Sequence, residues 1–197
     1  MFNVDFIKKN IFKNFVLNKI IYFKKINSTN KFLKENNFSN GTVVLAEQQT
    51  AGYGKLGAKW MSPKGGLWFS FVLNKKIKVP YKYLMAAAVA IVKALKKYKI
   101  NAKIKKPNDV LINDKKVCGV LIENDYYCGK LIVGVGLNVN NTLPEKTHIP
   151  VISLKKVLKR KVDLNKLFVE LLEIIDKHLK KDIRVIKKEW NNYLADW

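Results

Sequence analysis

Two charged side chains stand where a turn gives way to strands. In Lys106-Pro107-Asn108-Asp109, proline fixes one dihedral and restrains the residue before it, so the backbone aims Asn108 and Asp109, although a plain turn would use the same residues. Seven residues on, Lys116 directly precedes the apolar run Val117, Cys118, Gly119, Val120, Leu121. A lysine entering a buried strand, with Gly119 leaving room opposite, is a candidate for a positioned cation rather than a solvated one.

A second group has the composition of a ligand loop. The stretch Gln48 to Trp60, QQTAGYGKLGAKW, spends three of the chain's ten glycines, Gly52, Gly54 and Gly57, on six positions. Glycine is costly to order, so such a cluster serves a tight turn or a backbone that must come close to something bulky. It is not a Walker loop, because GxxxxGK[ST] is absent, and not a Rossmann fingerprint, because a strand rather than a helix follows. What it offers is exposed N–H groups with Lys55 among them, able to fold over an anion. Gly134-Val135-Gly136-Leu137-Asn138-Val139-Asn140 puts two glycines inside a strand, a usual mark of a bulge or of close approach to a ligand. Ser28, Thr29 and Asn30 read first as a helix cap.

The elements that would position these residues follow from periodicity. Strands are expected over 19–25, 41–47 and 66–73, the last aromatic and β-branched, and a short helix over 31–36. Pro80 opens a helix carrying Leu84, Ala87, Ala88, Ile91 and Leu95 at helical spacing. Strands over 102–105, 110–112 and 117–123, then a turn over 125–129 and a strand over 130–139, are joined by short connections that make antiparallel neighbours. Asp163 caps a helix with Leu164, Leu167, Phe168, Leu171, Leu172 and Ile175 on one face, and a second helix is expected over 181–193. The fold class is α+β, a mixed and largely antiparallel sheet backed by helices.

Composition bounds the rest. At 197 residues and 48% hydrophobic content the chain is expected to be one domain, with 1–18 a leader, 19–140 the core that carries the motifs and 141–197 the C-terminal helices. No run of about 18 apolar residues exists, and no cleavage pattern follows the first residues, so a soluble cytoplasmic protein is expected. Cys118 and Cys128 lack metal or redox spacing and read as small core residues. His148 and His178 are isolated and take no catalytic role. The net charge of +23 is almost wholly lysine, with Arg160 and Arg184 the only arginines, and it is spread along the chain. Nucleic-acid readers usually cluster charge and favour the guanidinium, so a compositional bias with attraction to acidic partners is the better account.

Each signal is weak alone, but in order and spacing they resemble the biotin protein ligases. The resemblance rests on STN at 28–30, AEQQTAGYGKLGAKW at 46–60, SPKGGLWFS at 62–70, KPND at 106–109, KKVCGVLIE at 115–123 and GVGLNVN at 134–140. It implies a biotin–lipoate ligase catalytic domain, related to class II aminoacyl-tRNA synthetases, that makes biotinyl-5'-AMP from biotin and ATP and passes biotin to a lysine of a biotin carboxyl carrier domain. By resemblance, Ser28, Thr29 and Gln49 bond the ureido ring, and Asn30, Gly52, Tyr53 and Gly119 complete the biotin pocket. Gly54, Lys55, Trp60, Asn108 and Asn138 serve ATP and the adenylate. Lys116 offsets the charge of biotin's carboxylate and the attacked phosphate, and Asp109 is the candidate ligand for Mg²⁺.

The chain also departs from the family pattern. The usual loop reads GRGRxGR, whereas Tyr53, Lys55 and Ala58 stand here, and Lys106 replaces the tryptophan of KWPND. Lysine keeps a charge without the bidentate fork, so weaker nucleotide affinity or a leakier intermediate is expected. About 25 residues precede the STN motif, too few for a winged helix, so no specific DNA binding is expected, and the chain stops where many members continue into a small β-barrel. A homodimer, with 133–139 or a neighbouring strand extending the sheet edge to edge, is open. The rival readings are a lipoate or octanoate enzyme of the same superfamily and a biotin or adenylate binder without ligase activity.

Overall fold

The computed structural model describes residues 1–11, 14–74, 77–125, 127–144 and 147–195; Tyr126 of the expected 125–129 turn, residues 12–13 of the expected leader and Trp197 at the chain end lie outside them. Seven strands make one sheet: β1 (Lys19–Phe23), β2 (Thr42–Ala46), β3 (Leu67–Asn74), β4 (Lys103–Lys105), β5 (Asp109–Ile112), β6 (Lys115–Asp125) and β7 (Lys130–Leu137). Their spatial order is β1-β2-β3-β7-β6-β5-β4. The β1–β2 pair is parallel and the other pairs are antiparallel, which is the mixed, largely antiparallel α+β architecture expected. The parallel pair needs a crossover, and α2 (Thr29–Glu35) supplies it.

Alternation along the strands sorts the two faces of the sheet. Leu67, Phe69, Phe71 and Leu73 of β3, with Leu131, Val133, Val135 and Leu137 of β7, point into the main core. That core is closed by α1 (Val4–Asn10), α3 (Tyr81–Lys97), α4 (Leu154–Leu158), α5 (Leu164–Leu179) and α6 (Ile183–Asn192). The intervening residues lie on the opposite face. There α2 covers one part, packing Leu33 on Val44, Val72 and Ile132. The rest of that face carries glycines and a hydroxyl beside one large aromatic: Ser70 sits opposite Gly134, Trp68 opposite Gly136, and Gly136 opposite Gly119.

Several expectations shift. The helix after the STN motif starts at Thr29, because Ser28 itself is the N-cap, accepting from the Lys31 N–H at 3.3 Å. The leader is structured: Phe2, Ile7 and Leu17 are buried, and the Asp176 carboxylate on α5 accepts from the Val16 and Leu17 N–H groups at 2.7 and 3.1 Å. Cys118 is buried as expected, but Cys128 is exposed, because the 125–129 turn carries it into solvent with its N–H on Asp125. Residues 133–139 cannot extend the sheet, since β7 is paired on both sides; the edge strands are β1 and β4. Among the described residues no helix is long and apolar enough to cross a membrane.

Candidate active site

The hydroxyls and amides after β1 meet those after β2. Gln49 Oε1 accepts from both the backbone N–H and the hydroxyl of Thr29, at 2.8 and 3.0 Å, and Gln49 Nε2 donates to Ser62 Oγ at 2.8 Å. Thr29 Oγ1 lies 2.6 Å from Ser70 Oγ, which donates to Asn30 Oδ1 at 2.5 Å. Ser28, Thr29, Asn30 and Ser70 are all at least nine-tenths buried. The patch is thus a chain of hydroxyls and amides held in fixed positions; the Thr29 and Ser70 protons are spent on Gln49 and Asn30, and what is left for a ligand is hydroxyl lone pairs and the second proton of the Gln49 amide. A Cβ on Gly134 would lie 2.1 Å from Asn30 Oδ1, so this glycine makes room for the protein's own amide.

The glycine loop folds back on itself. Trp60 N–H donates to Gly52 O at 2.9 Å and Gly54 N–H to Ala58 O at 2.7 Å, around a 3-10 turn at Lys55–Gly57. Leu56 has a positive φ of 56° and is 95% exposed, and Gly57 has φ 74°, which explains a glycine there. The turn delivers Trp60 across the sheet. Its indole lies over Gly119 and Gly136, where added Cβ atoms would come within 3.2 and 2.4 Å of the ring. The buried indole N–H has no hydrogen-bond partner in the protein, which leaves a donor for a ligand acceptor.

Lys116 reaches the same face by a bulge. Val110 pairs with Cys118 but Leu111 pairs with Lys116, so Val117 is an extra residue on β6. Strict alternation would put Lys116 on the face opposite Gly119; the bulge turns it to the same side, its Cε 3.3 Å from where a Gly119 Cβ would be. Lys116 Nζ lies 2.7 Å from Asp109 Oδ1, with the two side chains 15% and 19% exposed, and 4.9 Å from the centre of a Trp60 ring. The backbone of Lys116 is clamped from the far side, its N–H donating to Pro150 O and its O accepting from Ile152 N–H. Asn108 Nδ2 donates to Val120 O at 2.9 Å, fastening the KPND turn to β6.

These parts surround one cleft of about 590 Å³. Ser28, Thr29, Asn30 and Gln49 line it, as do Tyr53, Gly54, Lys55 and Trp60 of the loop. Asn108, Asp109, Lys116, Gly119 and Asn138 complete the expected set. Gly52 does not line it, because its free side faces Trp60 O, Ser62 Oγ and Gln49 Nε2. Asn138 lines the cleft with its side-chain oxygen engaged, accepting from Asn141 Nδ2 at 3.1 Å. Sequence reasoning missed Ser70, whose signal was a lone hydroxyl in an aromatic strand, and the segment containing His148, Ile149 and Val151, which carries no motif. It also missed Glu123, which accepts from Asn30 Nδ2 and the Tyr53 hydroxyl at 2.8 and 2.7 Å. Burial pushes the Glu123 carboxyl up, but the hydrogen bonds from Asn30, Tyr53 and Lys34 prevail and hold it below its ordinary range. Burial, reinforced by Glu123, pushes the Tyr53 phenol well up.

An open mixed sheet with a ligand cleft on its uncovered face, floored by strand glycines and carrying a positioned lysine–aspartate pair, defines the class. Residues 22–140 match the Biotin/lipoate A/B protein ligase family, and the chain belongs to that family. It is 34% identical over 192 residues to the bifunctional ligase/repressor BirA of Bacillus subtilis, covering 88% of this chain and 59% of the relative. The chain thus spans less than two thirds of that curated relative. The biotin protein ligase of Aquifex aeolicus in complex with biotin and ATP superposes with a TM-score of 0.83 at 35% identity, over 90% of this chain and 78% of that one. The Leishmania major enzyme with biotinyl-5-AMP, at 21% identity and a TM-score of 0.74 over 90% of this chain and 81% of its own, shares the fold.

Proposed function

We propose that the chain is the catalytic domain of a biotin protein ligase, acting in the cytoplasm. The observation that carries this reading is that a single cleft is lined by both the Ser28–Thr29–Gln49 patch and the Lys116–Asp109 pair. The patch suits the polar edge of a ureido ring, which would otherwise be buried without partners. The lysine suits the charged end of the reaction. Biotin's carboxylate attacks the α-phosphate of ATP, forming the carboxyl–phosphate bond of biotinyl-5'-AMP and expelling pyrophosphate. Two anions must approach, and the fixed Lys116 ammonium offsets both as charge builds on phosphorus. Trp60 offers the adenine a flat apolar surface.

Asp109 is the sole carboxylate among the described residues that line the cleft, and no cluster of three acidic, His or Cys side chains exists among them. This fits Mg²⁺, which is commonly held by one or two carboxylates and substrate phosphates. Asp109 would hold it, and the bound ion would neutralise phosphate charge. In the second half-reaction a neutral lysine amine of a biotin carboxyl carrier domain attacks the mixed anhydride and AMP leaves. The basic surface favours an acidic carrier, so the transfer rate falls as salt rises.

The test is calorimetric titration of the chain with biotin, then with biotin and MgATP, followed by mass spectrometry of the small molecules. Biotinyl-AMP in the product supports the reading. Biotin binding without adenylate would make the chain a binder, and binding of lipoate or octanoate in place of biotin would move it to the neighbouring branch of the family.

A further inference from the structure

Three asparagines follow β7, and each does something different. Asn140 does not line the cleft: its Nδ2 donates to Val162 O at 2.8 Å and its Oδ1 accepts from Val162 N–H at 2.9 Å, the exchange a strand neighbour would make. Asn141 turns back along the chain and is 6% exposed. Its Oδ1 accepts from Val139 N–H at 3.0 Å, and its Nδ2 donates to Thr142 O at 3.3 Å and to Asn138 Oδ1 at 3.1 Å. Asn138 is 4% exposed and lines the cleft, and its Nδ2 donates to none of the described residues. Its backbone is held on both sides, the N–H by Val117 O at 2.8 Å and the carbonyl by Leu154 N–H at 3.1 Å, so only the side chain can turn.

We propose that Asn141 is a positioning residue for nucleotide binding: it sets the amide of Asn138 so that the cleft meets N–H donors there rather than a carbonyl oxygen. The proposal rests on the reading of the cleft as a nucleotide site. Two partners of Asn141 are backbone groups with no choice of role. An N–H only donates and a carbonyl only accepts, so Val139 and Thr142 decide which end of the Asn141 amide is oxygen and which is nitrogen. That decides Asn138 in turn, which gives its oxygen to Asn141 and turns its NH2 group away. Asn138 stands two residues beyond Gly136, which lies beneath the Trp60 indole, so the NH2 group is placed beside the surface that suits adenine. It suits an acceptor atom of the nucleotide. Turned over, the amide would set an oxygen against that acceptor and leave both without a proton.

The test uses the difference between an amide and a carboxylate. Asn141→Asp keeps the bond from Val139 N–H but cannot donate, so Asn138 turns over to donate to it and shows its oxygen to the cleft. Asn141→Leu removes both bonds. Calorimetry gives Kd for biotin, and then, on the biotin-saturated chain with Mg²⁺, Kd for the α,β-methylene analogue of ATP, which cannot release pyrophosphate. Both variants should bind the analogue about tenfold more weakly, with the biotin Kd within about twofold of the parent. In an Asn138→Ala background Asn141→Asp should add less than about twofold, because no amide is left to turn, whereas direct repulsion of phosphate by the new charge would persist there. An effect that persists in that background overturns the proposal, as does a loss shared equally by biotin and the analogue. If Asn141→Leu does not fold, Asn141→Asp and its cycle with Asn138→Ala decide. Parent-like variants, where the parent binds the analogue, overturn the proposal alone; a parent that binds biotin but no analogue overturns the nucleotide reading of the cleft and the proposal with it.

Discussion

Two polar clusters sit on opposite sides of the sheet, and they are built to opposite rules. On the cleft side, Ser28, Thr29, Asn30, Gln49 and Ser70 link hydroxyls and amides that keep valence in reserve. On the helix side, His178 of α5, Lys93 of α3, Lys181 of the link after α5 and Glu189 of α6 close on one another. Glu189 Oε1 accepts from Lys93 and Lys181 at 2.7 and 2.8 Å, while His178 Nδ1 lies 2.7 Å from Ile174 O. The first cluster lines a cavity, and the members of the second pair with one another. A polar cluster that satisfies itself serves stability, whereas one that stops short, beside a cavity, serves recognition.

The largest effect should separate chemistry from fold. Lys116→Ala is expected to lower adenylate formation by at least about a thousandfold, the order seen when a preorganised charge-stabilising group is removed. Truncation also leaves the Asp109 carboxylate, only 19% exposed, without its cation, so the melting temperature should fall somewhat while the circular dichroism spectrum stays that of the folded parent. Near-normal pyrophosphate release would remove Lys116 from the reaction. Next, Thr29→Val deletes one hydroxyl while keeping the branched shape. Biotin affinity should fall about tenfold to a hundredfold with the fold retained. A parent-like Kd would show that the Thr29 hydroxyl serves only the protein's own bonds to Gln49 and Ser70.

The mirror experiment is Glu189→Gln. It leaves two ammonium groups beside a buried imidazole, yet the carboxylate is partly exposed, so the cost should be only about 1 kcal/mol and a few degrees in melting temperature. Biotin binding should be unchanged. If calorimetry showed affinity falling with stability, the two clusters would be coupled through α3 and the division proposed here would not hold.

How far the sequence revealed this arrangement depends on which force set each part. Lys116, Asp109, Thr29 and Gln49 were readable because motif order survives in the chain, and the sheet was readable because period-2 runs with short turns leave few topologies. The β6 bulge was not readable. Val117 and Cys118 are both apolar, and nothing in their types says that one is extra; the register with β5 decides it. The strand glycines were flagged for close approach, but the approaching groups are Asn30 and Trp60, tens of residues away. The role of the leader was not readable because its anchor, Asp176, lies on α5 and was indistinguishable from a solvated helix residue. Long-range partners of single polar groups are what one sequence conceals.

The smallest predicted effect is a pH dependence confined to the helix-side cluster. His178 Nδ1 lies 2.7 Å from Ile174 O, and Nε2 faces two kinds of partner: the Lys181 and Lys93 ammonium groups at 3.2 and 3.3 Å, which suit the neutral ring, and Glu189 Oε2 at 2.9 Å, to which only a protonated Nε2 can donate. Burial lowers the His178 pKa below its ordinary value, the two ammonium groups lower it further, and the Ile174 carbonyl and Glu189 only partly oppose them. The unfolded chain therefore takes up this proton first. Stability from His178 is complete above about pH 6.5 and is lost as pH falls below it. Glu189, held down to about 2, adds its own loss only below its ordinary range. Melting curves at successive pH values should slope downward from about pH 6.5 toward 5, and His178→Gln should flatten that slope while lowering the plateau. An unchanged slope in the variant would mean that the acid sensitivity originates outside this cluster.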